Sequence, residues 1–567
     1  MHRLPRPASV GTAMLCFALS ATAFAQATVE GLRSHYNVDG TNAWIDESRA
    51  QVPLLPPAPV VTPVAIQALG AGAVWSQSDA GQGWIGRTVA LGQFGELVFS
   101  EFDTATDRAQ LVSGIDAMPL APLWSDPQVW TSQDARVEAS AQNAVFVSCR
   151  QIPVSGVTGP RNIIITRYGT ANSTPNWTYQ FPVPSYGPAR ALVSRDGSKI
   201  MAGMLDTLGA LRLAIFDPFS GVPVYTATLP AGPQLRSLLL SDDGSTLYWA
   251  TSSTCTLWDV ATRTTIATYA LFNSLDCHAI SGNGRVFAYG GFNKLDIFER
   301  QAGGGYAHIH QMTLPGQTVC GRIDISADGS TLVAGFNHWD FNLSVTIQAL
   351  DIPSRQLTMS ETVTGAGTFQ NIVSDIAVAD DGQRFVVGLW GDELGLVPEL
   401  RLYRRFQNTP VHTYDYPGSV YDVDISSDGS RVVAGTKAVH ANTYAGGGSI
   451  ELYRFEDEDF VVKGIPRLGD KVRFTLGGSA PLSPCFLINA PRPGIATVLH
   501  GIGGALYLDR TTMVTRPIGV ADANGQVTYQ YDLPTSPSSI GVPTFFQGFT
   551  LVPRQFSESW MRVTVLP

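Results

Sequence analysis

The sequence of 567 residues lacks the short motifs by which many enzymes are recognised. It has no Gly-x-Ser-x-Gly nucleophile elbow, no His-Glu-x-x-His zinc helix and no phosphate-binding glycine loop ending in Lys-Ser or Lys-Thr. No Cys-x-x-Cys-His motif is present to attach haem, and the six cysteines are too widely spaced for a Cys-x-x-Cys metal site. These absences exclude the commonest signatures of serine hydrolases, zinc peptidases, nucleotide-binding enzymes and c-type cytochromes.

Charge is also scarce. Only 15% of the residues are charged, whereas 44% are hydrophobic, and the formal net charge is −10. An acidic chain without a run of basic residues is a poor match for nucleic acid or anionic lipid. We therefore expect partners to be a protein or a small molecule.

Long hydrophobic runs are absent except at the start of the chain. Arg3 and Arg6 precede an apolar stretch of 12 residues, Val10–Ala21, and Ala23-Phe24-Ala25 has the small-x-small pattern of a cleavage site. A bilayer-spanning helix needs about 20 residues, so no membrane span is predicted. We expect a signal peptide and a secreted or periplasmic protein, or one attached to the cell surface; an uncleaved anchor is the alternative.

A repeated hairpin runs through the middle of the chain. Six segments related to Ser-x-Asp-Gly, flanked by alternating apolar residues, recur at intervals of 40 to 53 residues; four match it fully, one has Asn283 in place of Asp and one has Ala379 in place of Ser. Asp-Gly and Asn-Gly favour tight hairpins because the turn needs positive φ. The turn glycines are Gly197, Gly244, Gly284, Gly329, Gly382 and Gly429.

A second glycine follows six positions after the turn glycine in five of the six segments, with Ala250 as the exception. It indicates a tight bend or a close backbone approach at the end of the second strand. Third strands such as Leu257-Trp258-Asp259 come next, and four strands in each period of 40 to 53 residues are typical of β-propeller blades. Degenerate copies around Gly95 and Asn143 favour eight blades, with seven as the alternative.

The fold class is therefore all-β, a propeller followed by a smaller β-domain. After residue 464 the repeat ends, and short alternating segments separated by Gly, Pro and Asn predict a β-sandwich. The predicted organisation is a signal peptide at 1–25, a Pro-rich extended lead-in at 26–65, the propeller at 66–464 and the sandwich at 465–567.

The repeated Ser-x-Asp-Gly turns, with Leu257-Trp258-Asp259 and the neighbouring Ala261-Thr262-Arg263, resemble WD40-type and quinoprotein-amine-dehydrogenase-like (YVTN-type) propellers. The combination with a sandwich is similar to secreted bacterial propeller proteins. The resemblance covers roughly residues 70–464 and implies the fold. It leaves the activity open, because propellers host binding proteins, lactonases, dehydrogenases and scaffolds alike.

One candidate site lies on the face opposite the Asp-Gly turns, where loops between the second and third strands of three successive repeats carry polar and aromatic residues. Imidazole and carboxylate groups in this position predict a ligand or cation site. An ordinary hydrated loop surface is the alternative. The candidate rim residues are His338, Trp339, Asp340, Trp390, Asp392 and His440.

A second set lies seven residues before each turn glycine, on the face of the first strand opposite its apolar residues. Since the first strand of a blade is innermost, these side chains are expected to approach the central channel as a polar funnel. A belt of ion pairs between blades is the alternative. The channel candidates are Arg136, Arg190, Arg322, Asp375 and Asp422.

Five cysteines follow the predicted signal peptide, so at least one has no partner within the chain. Cys255 precedes a third strand and Cys277 begins the first strand of the next repeat. A disulfide between Cys255 and Cys277 is the pairing we predict for an oxidising compartment.

Taken together, the sequence favours a non-enzymatic binding or scaffold protein. The alternative is a propeller enzyme, a lactonase-like hydrolase or a quinoprotein-like oxidoreductase, with its site at the channel mouth. A structural surface component is a third reading. No cofactor is predicted, although calcium or another divalent metal is compatible with the channel, and no oligomeric state follows from the sequence.

Overall fold

A computed structural model describes most of the chain from Ala73 onward. The predicted signal peptide and lead-in lie outside the described residues. The described residues are 73–79, 86–91, 97–102, 109–113, 124–126, 134–140, 145–154, 160–169, 172–230, 235–271, 274–314, 316, 318–338, 344–368, 371–427, 429, 431–440, 447–455, 460–463, 468–491, 493–497, 499, 502, 506–539 and 542–565.

Four-stranded antiparallel units, formed by strands that are consecutive in the chain, account for the first part of the structure. The first strand, β1 (Ala73–Asp79), belongs to the last of these units. Sheet A contains β2 (Gly86–Leu91), β3 (Leu97–Phe102), β4 (Ala109–Ser113) and β5 (Trp124–Ser125), and sheet B contains β6 (Asp134–Ala139), β7 (Phe146–Pro153), β8 (Arg161–Tyr168) and β9 (Trp177–Gln180). Sheet C contains β10 (Ser185–Val193), β11 (Ile200–Asp206), β12 (Ala210–Phe216) and β13 (Pro223–Pro230), and sheet D contains β14 (Leu235–Leu240), β15 (Thr246–Thr251), β16 (Thr254–Asp259) and β17 (Thr264–Ala270). Sheets B and C are joined through one residue pair, Ser185 with Arg161.

The same pattern continues to residue 454. Sheet E contains β18 (Ser274–Ile280), β19 (Val286–Gly291), β20 (Lys294–Arg300) and β21 (Tyr306–Thr313), and sheet F contains β22 (Thr318–Ile325), β23 (Thr331–His338), β24 (Ser344–Asp351) and β25 (Gln356–Thr364). Sheet G contains β26 (Val373–Val378), β27 (Arg384–Leu389), β28 (Leu400–Arg404) and β29 (His412–Tyr414), and sheet H contains β30 (Val420–Ile425), β31 (Arg431–Thr436) and β32 (Gly448–Arg454). Sheet H takes its fourth strand from the start of the described chain, because β1 pairs with β32.

The Ser-x-Asp-Gly segments form the hairpins between first and second strands, as predicted. In sheet D the Ser241 hydroxyl donates to Asp243 Oδ1 (2.6 Å) and accepts the N–H of Thr246 (2.9 Å). Gly244 has φ +67°, which favours glycine. All six predicted turn glycines have positive φ, between 64° and 74°.

The hydrophobic core is divided into clusters that each lie between two consecutive sheets. One cluster joins Met201 and Leu213 of sheet C to Leu238 and Leu247 of sheet D. Second strands such as β15 and β19 are buried along their whole length, because sheets pack against both of their faces. The outermost strand β13 instead alternates between half-buried and exposed residues.

The recurring second glycine makes this packing close. A Cβ built on Gly335 would stand 2.6 Å from a methyl group of Val373 in the next sheet, and one on Gly388 would stand 2.7 Å from Val420. Of the two predicted explanations, these contacts support the close approach. Any side chain at these positions would push neighbouring sheets apart.

The first strands of the sheets contact one another in chain order, β2 with β6, then β10, β14, β18, β22, β26 and β30. Strand β30 also contacts β2. Four-stranded antiparallel sheets arranged around their first strands are the architecture of a β-propeller, so the predicted fold is supported.

The last part of the described chain forms three further sheets. They contain β33 (Phe460–Lys463), β34 (Lys471–Leu476), β35 (Pro484–Ala490), β36 (Pro493–Thr497), β37 (Leu506–Leu508), β38 (Val514–Val520), β39 (Val527–Asp532), β40 (Pro543–Thr550) and β41 (Gln555–Thr564), with a 3-10 helix at Pro537–Ser539. One sheet has the order β33-β34-β39, another β38-β35-β40-β41, and β36 pairs with β37. Phe474 of the first and Phe546 of the second lie in one core cluster, with ring centroids 4.7 Å apart.

Candidate functional site

The propeller has two ends, which we name from the first strands. The turn end carries the Asp-Gly hairpins, and the rim end is the opposite face, where the first strands begin. The predicted rim residues Trp390 and His440 do come together at the rim end, where sheets G and H meet. His440 donates from Nδ1 to the backbone carbonyl oxygen of Trp390 (2.9 Å), which also accepts the Ser419 hydroxyl (2.8 Å).

Glu399 is a third member of this group that the sequence analysis missed. Its Oε1 lies 3.7 Å from His440 Nδ1, and its Oε2 accepts the N–H of Tyr416 (2.7 Å). The side chain is fully buried. Burial, together with the carboxylates of Asp415 and Asp392, raises the pKa of Glu399 to about 8, against the opposing effect of the hydrogen bond from Tyr416. At neutral pH this carboxyl therefore holds its proton.

The local backbone explains why Glu399 fits there. Gly391 has φ +78°, and a Cβ on it would stand 2.2 Å from Glu399 Oε1 and 2.9 Å from Cε1 of His440. The sequence signal for this buried acid is Gly391, between Trp390 and Asp392, because the absence of a side chain there leaves room for Glu399. Nothing in the repeat marks that acid, because it lies in a loop that is specific to this sheet.

Asp392 has a different task. Its Oδ1 accepts the N–H groups of Leu396 (2.7 Å) and Val397 (2.9 Å), and its Oδ2 accepts that of Ala366 (2.9 Å). The residue is fully buried. Its carboxylate therefore holds the loop after β27 in place and joins it to the end of sheet F.

Lys437 lies beneath the same group and is fully buried. Its Nζ is 5.8 Å from the ring centroid of Trp390 and 5.1 Å from that of Tyr421. These are cation–π distances, and the two rings compensate part of the cost of burying the ammonium group. Trp390 itself is only 3% exposed, so the aromatic face is used internally.

The other predicted rim histidine, His338, stands apart from His440. His338 ends β23, and its Nε2 lies 2.7 Å from the Thr346 hydroxyl and its Nδ1 3.2 Å from that of Thr318. The predicted rim residues Trp339 and Asp340 lie outside the described residues. The structure thus joins His440 to Trp390 and leaves His338 in a separate hydrogen-bonded group of sheet F.

The predicted channel acids join neighbouring sheets. Asp375 Oδ2 accepts the N–H of Val423 (3.0 Å) in the next first strand, and Asp422 Oδ2 accepts that of Val89 (2.8 Å) in β2. Both acids are fully buried. This arrangement is closer to the alternative interpretation, a belt between blades, than to an open polar funnel, and backbone amides are among the groups that the two acids bind.

The channel arginines are buried as well. Arg322 is 1% exposed and donates to the carbonyl oxygen of Gly321 (2.8 Å), and Arg190 is 3% exposed. Arg136 lies in β6 opposite Cys149, and its side chain is outside the described part of the structure. The described arginines therefore pack within the wall of the ring.

A backbone irregularity precedes several of the positions that lie seven residues before a turn glycine. The pairing of first and second strands shifts register immediately before Ser237, Arg322, Asp375 and Asp422. A bulge rotates the residues that follow it relative to a regular strand. Period-two alternation holds after the bulge, because Asp422 and Asp424 accept the N–H groups of Val89 and Leu91, which are likewise two positions apart.

The central cavity lies instead at the turn end. It has a volume of about 230 Å³ and is lined by the ends of the first strands and by their turns. Its apolar lining includes Leu238 and Ile325. The described charged residues in the lining are Glu138, Arg195, Asp242, Asp324, Asp380 and Asp424.

Arg195 crosses the ring at this end. The guanidinium, from the turn of sheet C, forms an ion pair with Asp380 in the turn of sheet G and donates to the Ser427 hydroxyl (2.6 Å) in that of sheet H. It also lies 3.7 Å from Asp242 Oδ2 in sheet D. Burial lowers the pKa of Arg195, and the Asp242 carboxylate opposes that shift.

Backbone hydrogen bonds link the turns around the cavity. The N–H of Arg195 donates to Asp242 O (2.7 Å), that of Asp243 to Gly282 O (3.0 Å), and that of Asp380 to Ser427 O (3.1 Å). Asp324 and Asp424 complete the wall, because each accepts an N–H of the next first strand, from Val378 (2.8 Å) and Leu91 (2.7 Å) respectively. The cavity wall is therefore rigidly assembled from consecutive sheets.

The predicted disulfide partner of Cys277 requires correction. Cys255 and Cys277 form no disulfide, and Cys255 packs in a cluster with Tyr248 between sheets D and E. Cys277 lies in the next cluster, where its Sγ is 3.0 Å from that of Cys320. Cys277 lies within the first strand β18, and the cysteine that it contacts is on the following first strand rather than in the preceding sheet.

Two general searches of the described residues give plain results. No group of three or more His, Cys, Asp or Glu side chains there is arranged to hold a metal ion. Among the same residues, no helix has both the length and the apolar character that a membrane span needs.

Comparison with known proteins identifies no family. No protein-family model matches the chain, and no curated protein matches it. Among solved structures, the chain is similar to hydrazine synthase of Kuenenia stuttgartiensis, with 15% identity and a TM-score of 0.33. The match covers 43% of this chain and 72% of that one.

Proposed function

We propose that this chain is an exported, non-enzymatic binding protein, built as an eight-bladed propeller with a C-terminal β-sandwich. Sheets A to H are the eight blades, and the contact of β30 with β2 supports a closed ring. The mixed cluster around Phe474 and Phe546 supports two sheets packed face to face. Export rests on the apolar segment Val10–Ala21 and its flanks. N-terminal sequencing of the protein recovered outside the cytoplasm tests it, and a start at Gln26 is expected.

The central cavity at the turn end is the observation that carries a binding function. Blades B, C, D, F, G and H contribute charged residues to a volume of about 230 Å³, which suits a small molecule. The rim group offers less room, because Trp390 and Asp392 are buried and their described polar contacts are internal. The cavity is therefore the site that we assign to the ligand.

The charge of the lining selects the ligand class. Among its described residues, five carboxylates face one guanidinium, that of Arg195. Asp380 and Asp242 already hold a cation in the form of Arg195. We infer that the ligand is a small organic cation, an ammonium or guanidinium compound, which takes up the remaining negative charge.

Calorimetric titration with putrescine, a small diammonium compound, tests this function. Asp242→Asn removes one cavity charge at a half-exposed position, so the affinity is expected to fall roughly twofold to fivefold. Arg195→Gln removes the internal cation, so the affinity should rise. Asp532→Asn, an exposed acid of the C-terminal unit, serves as the matched control without effect.

Three results would overturn the proposal. They are no binding of putrescine to the unmodified chain, equal affinity in the Asp242→Asn and Asp532→Asn variants, and equal binding of acetate. Turnover of a lactone or oxidation of an amine by the purified protein would replace the binding function with the enzymatic reading.

A further inference from the structure

The pair Cys277 and Cys320 lies between the first strands of blades E and F. The two Sγ atoms are 3.0 Å apart, about 1 Å more than the roughly 2.05 Å of a disulfide bond. Both residues are 1% exposed. They therefore face one another in the core between the two blades, without solvent between the sulfur atoms.

The backbone fixes both partners of this pair. Cys277 is paired with Gly290 of β19, within blade E. Cys320 is held from the same blade, because its neighbour Val319 forms an antiparallel bridge with Phe292. Thr318 adds two hydrogen bonds with Asn293, one from its N–H to Oδ1 (2.9 Å) and one accepted by its carbonyl oxygen (2.8 Å).

Gly290 provides the space that the two sulfur atoms occupy. A Cβ there would stand 2.4 Å from the Sγ of Cys320 and 3.1 Å from that of Cys277. At the equivalent glycines of other blades the space is filled by Leu238, Val373 or Val420. Two cysteines thus replace the ordinary aliphatic contact between blades at this one position.

We propose that Cys277 and Cys320 form a disulfide that covalently joins the first strands of blades E and F. The oxidant is a small disulfide such as oxidised glutathione. One cysteine thiolate attacks it, forming a mixed disulfide and releasing one thiolate, and the second cysteine then displaces the other. Two cysteine thiols lose two protons and two electrons, and one small disulfide becomes two thiols.

Because both thiols are buried in the folded chain, we expect the disulfide to form while the blades assemble. Burial raises the pKa of the Cys320 thiol, and its hydrogen bond with Cys277 raises it further. A buried neutral thiol reacts slowly, so the bridge forms while blades E and F are still docking. Once formed, it is closed off from solvent reductants by the same packing.

Mass spectrometry of the full chain tests the proposal. The protein is made in an oxidising compartment, denatured in the presence of an alkylating reagent, and digested without reduction. We expect the Cys277 and Cys320 peptides to be joined and unalkylated, and to separate after reduction. A second sample, purified reduced and then incubated with oxidised glutathione in mild denaturant, gives the same linkage.

Matched variants identify the pair. Cys320→Ser is expected to leave Cys277 alkylated, whereas Cys255→Ser, which changes a buried cysteine of blade D, leaves the linkage intact. Reductant should lower the melting temperature of the unmodified chain and of Cys255→Ser, but not of Cys320→Ser. Full alkylation of Cys277 and Cys320 in both samples, or a linkage between Cys277 and Cys255, would overturn the proposal.

Discussion

The two ends of the propeller use the same residue type in opposite ways. At the rim end Asp375, Asp422, Asp392 and Glu399 are all fully buried, and each has an oxygen that accepts a backbone N–H. At the turn end the side chains of Asp242 and Asp380 are 45% and 21% exposed and hold Arg195. Burial therefore separates the rim acids from Asp242 and Asp380, since a buried carboxylate needs internal donors, whereas the partly buried Asp324 and Asp424 of the cavity wall also accept backbone N–H groups.

The largest expected effect is a pH dependence at the rim end. The folded chain keeps the proton of Glu399 up to about pH 8, whereas the unfolded chain loses it near the ordinary value of 4.5. The free energy of unfolding therefore falls as the pH rises from about 5 to 8, by about 3 to 5 kcal/mol. Glu399→Gln removes this slope, which urea unfolding at several pH values measures.

The groups facing Glu399 are His440, Asp392, Asp415 and Tyr416, and all remain in that variant. Glu299→Gln, at a partly exposed position beside Arg285, is the control and should keep the slope of the unmodified chain. Parallel pH profiles for the unmodified chain and Glu399→Gln would show that Glu399 ionises normally in the folded state.

The next effect concerns the carboxylate that joins the last blade to the first. Asp422→Ala leaves the buried N–H of Val89 without its acceptor, so we expect a loss of about 2 to 3 kcal/mol in the free energy of unfolding. Asp422→Asn keeps an acceptor oxygen and should lose less. Asp242→Ala at the turn end is the comparison, with a loss below about 1 kcal/mol. Equal losses at the two ends would break the distinction.

A smaller effect is expected from the glycine contacts between blades. Gly335→Ala places a methyl group 2.6 Å from a methyl group of Val373, which is closer than van der Waals contact allows. We expect the substitution to lower the free energy of unfolding by about 1 to 2 kcal/mol. Gly303→Ala, at a site with nothing within 4 Å of the new Cβ, is the control. Denaturation midpoints of both variants measure the difference, and an unchanged midpoint for Gly335→Ala would show that the blades tolerate a wider gap.

The smallest effect on stability is expected at the cavity. Asp242→Asn should change the free energy of unfolding by less than about 0.5 kcal/mol, because the side chain is half exposed and its ion pair with Arg195 is long. Thermal unfolding measures this. A loss comparable to that of Asp422→Ala would mean that the cavity acids, like the rim acids, are needed for the fold.

The hairpins could be predicted because their determinants are local. Gly244 and Gly382 adopt the positive φ that their motifs require, and Gly335 meets the next blade as its recurrence indicated. The residues that decide the candidate sites could not be found in this way. Asp375 and Asp422 are buried against a backbone N–H of the neighbouring first strand, and the motif carries no mark of that contact.

Contacts between residues that are far apart in the chain could not be predicted from the sequence either. Glu399 lies in a loop outside the repeat, and its neighbour His440 belongs to the next blade. Cys277 and Cys320 are 43 positions apart, and only the packing of neighbouring first strands brings them together. The cavity was expected towards the rim, because alternation alone located the inward-facing side chains.

Strand β1 gives the ring an order of events. Ala73 of β1 pairs with Tyr453 of β32. During synthesis, β1 therefore has no strand to pair with until β32, the last strand of the propeller, has been made. A chain that emerges from its N-terminus must keep this segment available while every intervening blade forms. A version beginning after residue 80 would leave β32 with a bare edge, ready to recruit a strand from another molecule and so to aggregate.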